Sequence, residues 1–250
     1  MDSIIGPRYV AHLDILGMSE LTLKDFGLAW ACLCRFAQAR NRVNNFSLEL
    51  LPSHRHLLLA DRVHIVTFSD TLLLFTRSDE EDDLLCALTF FTELFGQSTS
   101  FSVPIRGGLA HGLFQVNLDE SLFCGPALVN AYSLGESVQW MGLVVDDVVA
   151  QRARGVPIRT GTGAPVVVYW EVPQKLGRRI RQPVVNWPSV FCKNFQVQLP
   201  ISSEVFYQAF GQLFGAFDQL PPDLQTKYRN TTDFVNAQLQ QELAIGQGRP

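Results

Sequence analysis

"HLDILGMSEL", residues 12–21, sets one aspartate inside an apolar run and follows it with a glycine and polar residues suited to opening a helix. Residues 8–15 alternate Tyr9, Ala11 and Leu13 against Val10, His12 and Asp14, which is the period of a strand and not of a helix. A buried strand that carries a carboxylate needs a reason for it, because an uncompensated buried charge is costly. Asp14 is therefore the first candidate for a functional group, with His12 beside it on the same strand parity.

Outward from this strand, Phe26, Trp30, Leu33 and Ala37 recur at helical spacing and predict an amphipathic helix over 22–40. "LPSHRH" at 51–56 reads as a loop. Residues 62–76 form two β-rich runs that meet at Ser69-Asp70, a hairpin with Asp70 at its tip. In the next segment Ser78 and Glu81 stand as a capping box before a helix with Leu84, Leu88, Phe91 and Phe95 on its buried stripe. Its acidic first turn suits the helix dipole and is assigned no chemistry. "VPIRGGLAHGLFQV", 103–116, returns to strand character, with glycines that predict a second hairpin. A helix over 125–137 opens on Pro126, and a short strand at 143–145, another helix and the strand "APVVVYWEV" follow it. Two C-terminal helices carry Phe206, Phe210, Leu213 and Phe217, then Leu224, Tyr228, Phe234 and Leu239.

The order strand, helix, two strands, helix, two strands, helix, strand describes an α+β fold, a ferredoxin-like βαββαβ core with extra strands and C-terminal helices. The expected division is a core over 8–172, an extension over 173–244 whose two helices pack on it, and a disordered tail at 245–250.

Composition narrows the function classes. A chain of 250 residues that is 47% hydrophobic can bury a sizeable core. Its net charge of −4 and pI near 5.7 argue against a nucleic-acid partner. The five cysteines include no CxxC pair, so neither a zinc site nor a disulfide framework is expected. No signal peptide and no membrane-length apolar run are visible, and a cytoplasmic protein is expected. The chain has no G-x-x-x-x-G-K-[ST], G-x-S-x-G or H-E-x-x-H motif.

What remains is the pair of aspartates. If the strand of Asp14 lies beside the hairpin of Asp70, the two carboxylates can hold hard divalent cations that bridge a nucleotide's phosphates. Gly17, Met18 and Ser19 would then offer backbone N–H groups to phosphate. The alternative is that Asp14 caps a helix and Asp70 only makes a turn.

"HLDILGMS" resembles the F-x-D-I-x-G-F-[ST] signature of class III nucleotide cyclases. "FSDTLLLF" is similar to their G-D-x-x-hydrophobic hairpin, "IRGGLAHG" to their R-x-G-I-x-x-G strand, and "FCGPALVNAYSLGES" falls at their G-x-x-V-N-x-A-x-R-L-E helix. The last segment, together with "VVNWP" at 184–188, resembles most the bacterial pyrimidine cyclases of the Pycsar antiphage systems.

The resemblance implies two Mg²⁺ or Mn²⁺ ions held by Asp14, Asp70 and the carbonyl of Ile15. It also implies a homodimer with active sites at the interface, and a nucleoside triphosphate converted to a 3′,5′-cyclic nucleotide that a separate effector protein reads. UTP is favoured as substrate and CTP comes next. The departures from the family pattern fall on Ser133, where its transition-state arginine stands, on Val129, where its asparagine stands, and on Val66 and Leu122, where the adenine-reading lysine and acid stand. Tyr132 and Ser133 are the candidates for contacts near the ribose or base. Arg106 either supplies the missing charge or orders the sheet through a salt bridge. A catalytically silent module of the same fold, binding nucleotide or a partner, is the competing reading.

Overall fold

The chain begins its fold with β1 (Ile4–Ile15), a twelve-residue strand of an eight-stranded sheet. A computed structural model describes residues 4–50, 54–160, 163–194 and 199–246. After β1 come α1 (Met18–Lys24), α2 (Phe26–Asn44), the small hairpin β2 (Ser47–Leu50) and β3 (Arg55–Leu58), then β4 (Val63–Phe68) and β5 (Thr71–Thr76). Next are α3 (Glu81–Gly96), α4 (Ser98–Phe101), β6 (Ile105–Asn117), β7 (Leu122–Cys124), α5 (Pro126–Ser137), β8 (Gly142–Val145) and α6 (Asp147–Ala153). The chain closes with β9 (Val167–Pro173), β10 (Arg179–Val185), α7 (Pro188–Asn194), α8 (Ser203–Tyr207), α9 (Gly211–Phe214) and α10 (Pro222–Gly246).

The sheet order is β4-β5-β1-β6-β8-β10-β9, with β7 pairing β6 outside that path. Its first four strands are antiparallel neighbours, the arrangement of a ferredoxin-like core. β8 then joins β6 in parallel, and β10 and β9 extend the sheet. β10 lies inside the sheet although it follows residue 172, where the sequence division ends the core.

Alternation along β1 sorts the two faces. Tyr9, Ala11, Leu13 and Ile15 enter the main core with Phe36 of α2 and Phe90 and Phe91 of α3. Val10 enters a smaller cluster with Leu73, Phe75, Phe114 and Ala127 of α5 on the other face. Because both faces are covered, the middle of the strand tolerates no polar side chain without a partner. α5 lies very close to the sheet: a Cβ on Gly108 would sit 2.3 Å from the Ala131 carbonyl oxygen, and one on Gly135 would sit 2.9 Å from the Gly107 Cα. The glycines of "IRGG" are thus the seat of this helix.

Several sequence expectations are corrected. The helix expected over 22–40 is broken at Asp25, whose backbone is extended (φ −153°) and whose carboxylate accepts the Leu28 N–H to cap α2. The break resets the helical phase, so Ala29, Cys32, Phe36, Ala39 and Val43 are buried while Phe26 and Trp30 are 71% and 60% exposed.

The capping box from Ser78 to Glu81 does not form. Both the backbone N–H and the hydroxyl of Ser78 donate to Asp83, at 2.7 and 2.6 Å. The acidic turn is neutralised by Arg55 on Asp82 and by Arg62 on Asp82 and Asp83.

β6 runs unbroken through the expected second hairpin, and the chain reverses only at 118–121. The first C-terminal helix is divided between α8 and α9, and α10 continues through residues 245 and 246. The remainder of the expected tail, 247–250, lies outside the described residues.

α10 is anchored by its aromatic side. Phe234 packs against Trp140, Trp170 and Trp187 at ring distances of 4.9 to 6.3 Å, and the Thr231 hydroxyl accepts the Met141 N–H at 2.8 Å. These contacts seat the middle of α10 against β9 and the segments that flank β8 and β10, and its first two turns line the cleft at the end of β1.

Candidate active site

β1 ends where the sheet meets the β4-β5 hairpin. In the strand register Asp14 faces Thr71 on one side and Arg106 on the other, and the Ile15 N–H donates to the Asp70 carbonyl at 3.3 Å. The chain then turns through Gly17 at φ +77°, a left-handed conformation that glycine adopts without strain, into α1. The result is a cleft of about 250 Å³. Its wall is formed by Asp14, Ile15, Gly17 to Ser19, Asp70 and Arg106, and by Asp223 and Lys227 of α10.

Arg106 organises one side of this cleft. Its Nε and Nη2 donate to Asp14 Oδ2 at 3.1 and 2.9 Å, Nη2 also donates to Glu136 at 2.8 Å, and Nη1 donates to the Val138 carbonyl at 3.3 Å. Lys175 completes the chain by pairing with the other Glu136 oxygen at 3.2 Å. The Arg106 side chain is 11% exposed and that of Asp14 is 26% exposed, so these charges interact with little screening by solvent.

Burial raises the Asp14 pKa above the ordinary carboxylate value; the Arg106 hydrogen bonds and charge oppose this without cancelling it, and Asp70 and Glu136 add to the rise. Burial also pushes Glu136 up, but Arg106 and Lys175 outweigh it and hold its pKa low. The His12 pKa is lowered by burial against the pull of Asp14 and Glu136.

The donor set suits a hard cation. Asp14 Oδ1 and the Asp70 carboxylate have no hydrogen-bond partner among the described residues. The Asp70 charge adds to the cost of ionising Asp14, which a cation bound beside them would relieve. Among the described residues no group of three or more His, Cys, Asp or Glu side chains stands ready for a metal. A site here therefore rests on the two carboxylates, the backbone and the substrate's own oxygens.

Of the residues singled out from sequence, Asp14, Ile15, Gly17, Met18, Ser19, Asp70 and Arg106 share this cleft. Tyr132 does not line it, but its ring meets His12 edge-on at 5.1 Å, two residues from Asp14. Ser133 is apart from it: the side chain is exposed on α5 and its hydroxyl donates to the Val129 carbonyl at 2.9 Å. Sequence spacing does not mark Glu136, Lys175, Asp223 and Lys227. Each reaches the site from an element that only the tertiary fold brings near.

No protein-family model and no curated protein matches the chain. Solved structures do. The catalytic core of a rhodopsin-guanylyl cyclase with converted specificity, in complex with ATPαS, superposes with a TM-score of 0.51 at 12% identity over 74% of this chain and 98% of that one. A bacterial light-regulated adenylyl cyclase superposes with a TM-score of 0.50 at 14% identity over 85% of this chain. The match spans 59% of that longer protein. The fold is that of the class III nucleotide cyclases.

With the cyclase fold established, the expected α+β class stands, and the quoted motifs acquire places on it. "HLDILGMS" is β1 and its turn into α1, "FSDTLLLF" is the β4-β5 hairpin, and "IRGGLAHG" is β6 under α5. No helix among the described residues is long and apolar enough to cross a membrane.

Proposed function

We propose that the chain is a nucleotide cyclase that converts a pyrimidine nucleoside triphosphate, UTP ahead of CTP, into its 3′,5′-cyclic monophosphate and pyrophosphate. The observation that carries this reading is the meeting of Asp14 and Asp70 on one cleft, with the Gly17 to Ser19 turn along its wall. The ribose 3′-oxygen attacks the α-phosphorus, the bond to the β-phosphate oxygen breaks, and the hydroxyl proton and pyrophosphate leave.

Asp14 Oδ1, Asp70 and the Ile15 carbonyl would hold two Mg²⁺ or Mn²⁺ ions. When bound, such ions lower the pKa of the 3′-hydroxyl and neutralise the triphosphate. Arg106 keeps Asp14 Oδ2 engaged and so presents its other oxygen to the cleft, and the N–H groups of Gly17, Met18 and Ser19 orient phosphate oxygens.

Pyrimidine preference is supported by what stands in the adenine-reading positions. Val66 and Leu122 offer no hydrogen bond to a purine edge, and Val66 packs into the apolar cluster under α5. A homodimer with two interface sites is supported by Phe68, Val129 and Tyr132, which are exposed around the hairpin tip and α5, where a second copy would cover them and bring Tyr132 and Ser133 to its partner's substrate. In this reading the product is a messenger for antiphage defence, read by a separate effector.

The silent-module reading has one observation in its favour: Val129 and Ser133 carry no catalytic charge, and the Ser133 hydroxyl is spent on its own helix. Incubation of the protein with ATP, GTP, CTP and UTP in competition, with Mn²⁺ present and products resolved by mass spectrometry, separates the readings. A cyclic pyrimidine is the expected product. A cyclic purine overturns the base assignment, and no cyclic product from any nucleotide favours the silent module.

A further inference from the structure

The cleft at Asp14 is lined by four carboxylates, Asp14, Glu20, Asp70 and Asp223, and by two cations, Arg106 and Lys227. Arg106 is already committed to Asp14, Glu136 and the Val138 carbonyl. Lys227 is placed differently. It lies on the second turn of α10, its side chain is only 12% exposed, and the partner the described residues give it is Asp223, one turn back at 2.8 Å.

Two features make this arrangement more than a helix-surface pair. A lysine free to choose extends its ammonium to water along an apolar stem, whereas Lys227 is held under the helix against the cleft. Its partner is the exposed member of the pair, with 63% of the Asp223 side chain open to solvent. A single i,i+4 carboxylate that is itself open to solvent holds an ammonium weakly, so a polyanion entering the cleft can draw the ammonium away from it.

We propose that Lys227, brought in by the C-terminal helix, binds the β- and γ-phosphates of the substrate and stays on the departing pyrophosphate. This inference rests on the cyclase reading above and adds to it a phosphate cation supplied from within the same chain. It answers the deficit left by Ser133. A fixed ammonium beside the leaving group stabilises the charge that develops as the bond to the α-phosphorus breaks. A lysine suits the role because its compact charge can serve several phosphate oxygens in turn.

The test is calorimetric titration of inorganic pyrophosphate, with Mg²⁺, into the full chain and into Lys227→Met, Lys227→Arg and Asp223→Asn. Loss of a charged hydrogen bond predicts weakening of about tenfold or more in Lys227→Met. Lys227→Arg is expected to bind within about threefold of wild type, and Asp223→Asn, which frees the ammonium, to bind more tightly. Wild-type protein that does not bind pyrophosphate, or Lys227→Met binding within about twofold of it, overturns the proposal. If Lys227→Met fails to fold, the exposed Asp223→Asn variant decides: tighter binding supports the assignment and unchanged or weaker binding overturns it. Cyclic-product assays on the same samples keep the two claims apart. Lys227-dependent pyrophosphate binding without turnover removes the cyclase reading and leaves the phosphate site, whereas turnover with pyrophosphate binding indifferent to Lys227 does the reverse.

Discussion

Arg106 places two nitrogens on a single oxygen of Asp14, Nε at 3.1 Å and Nη2 at 2.9 Å, and leaves the other Asp14 oxygen without a hydrogen bond among the described residues. Of the two readings that sequence leaves open for Arg106, the geometry shows the salt bridge, with the guanidinium engaged by Asp14, Glu136 and the Val138 carbonyl. That salt bridge ties β6 to β1 at a residue that lines the cleft.

A double-mutant cycle measures that contact. Arg106→Ala leaves Asp14 and Glu136 without their shared cation and is expected to cost about 3 kcal/mol in urea unfolding. The same change in an Asp14→Asn background is expected to cost at least about 1 kcal/mol less. Additive losses would mean that the two residues do not sense one another.

Asp14 is expected to trade stability for activity. Its pKa is raised by burial beyond what Arg106 restores, so at neutral pH its charge costs the folded state more than the unfolded one. In metal-free buffer containing a chelator, Asp14→Asn should therefore melt above wild type at pH 7. The gain should vanish below the unfolded carboxylate value of 3.8, where wild type is protonated as well. The same variant should make no detectable cyclic product. A lower melting temperature at pH 7 would count against the account.

Asp79 gives the opposite pH dependence. It pairs with His111 Nε2 at 3.1 Å and Arg152 Nη1 at 3.0 Å; burial pushes its pKa up, but these hydrogen bonds outweigh burial and hold it low. A depressed folded pKa contributes stability above the unfolded value of 3.8 that is lost as pH falls through the folded one. Thermal melts of wild type and Asp79→Asn across that range should converge toward acid. A constant gap would refute the assignment.

The seat of α5 is a packing prediction. Gly108→Ala puts a methyl 2.3 Å from the Ala131 oxygen and 2.6 Å from the Leu134 Cβ, a backbone collision that side-chain rotation cannot relieve. Its cost should be about 3 kcal/mol or more. Gly6→Ala, with nothing within 4 Å, should stay within about 0.5 kcal/mol of wild type.

The parts of the fold that sequence revealed are those whose signal is local. β1 alternates Leu13 and Ile15 with His12 and Asp14 at its site end, the Asp70 hairpin has two apolar runs around a polar turn, and α5 opens on a proline. β10 escaped because only Pro183, Val184 and Val185 of its seven residues are buried, too few to set a period beside "RIRQ". Spacing places Trp30 on the buried stripe, but Asp25 breaks the helix and shifts its phase, a break that spacing alone hides. At the site, Asp14 and Asp70 were legible because a carboxylate in a strand and one at a turn each violate or punctuate a pattern. Lys227 was not, since nothing in its local pattern marks it and only the fold brings the start of α10 to the cleft at the end of β1.

The central claim is that Asp14 and Asp70 together form one metal-dependent cyclisation site. Initial rates of 3′,5′-cyclic product formation from UTP, followed by mass spectrometry against Mn²⁺ concentration for wild type and Asp70→Asn, test it most directly. The account predicts saturable, Mn²⁺-dependent product from wild type and none from the folded variant. Equal rates in the two, or product formed by wild type in the presence of excess chelator, would contradict it.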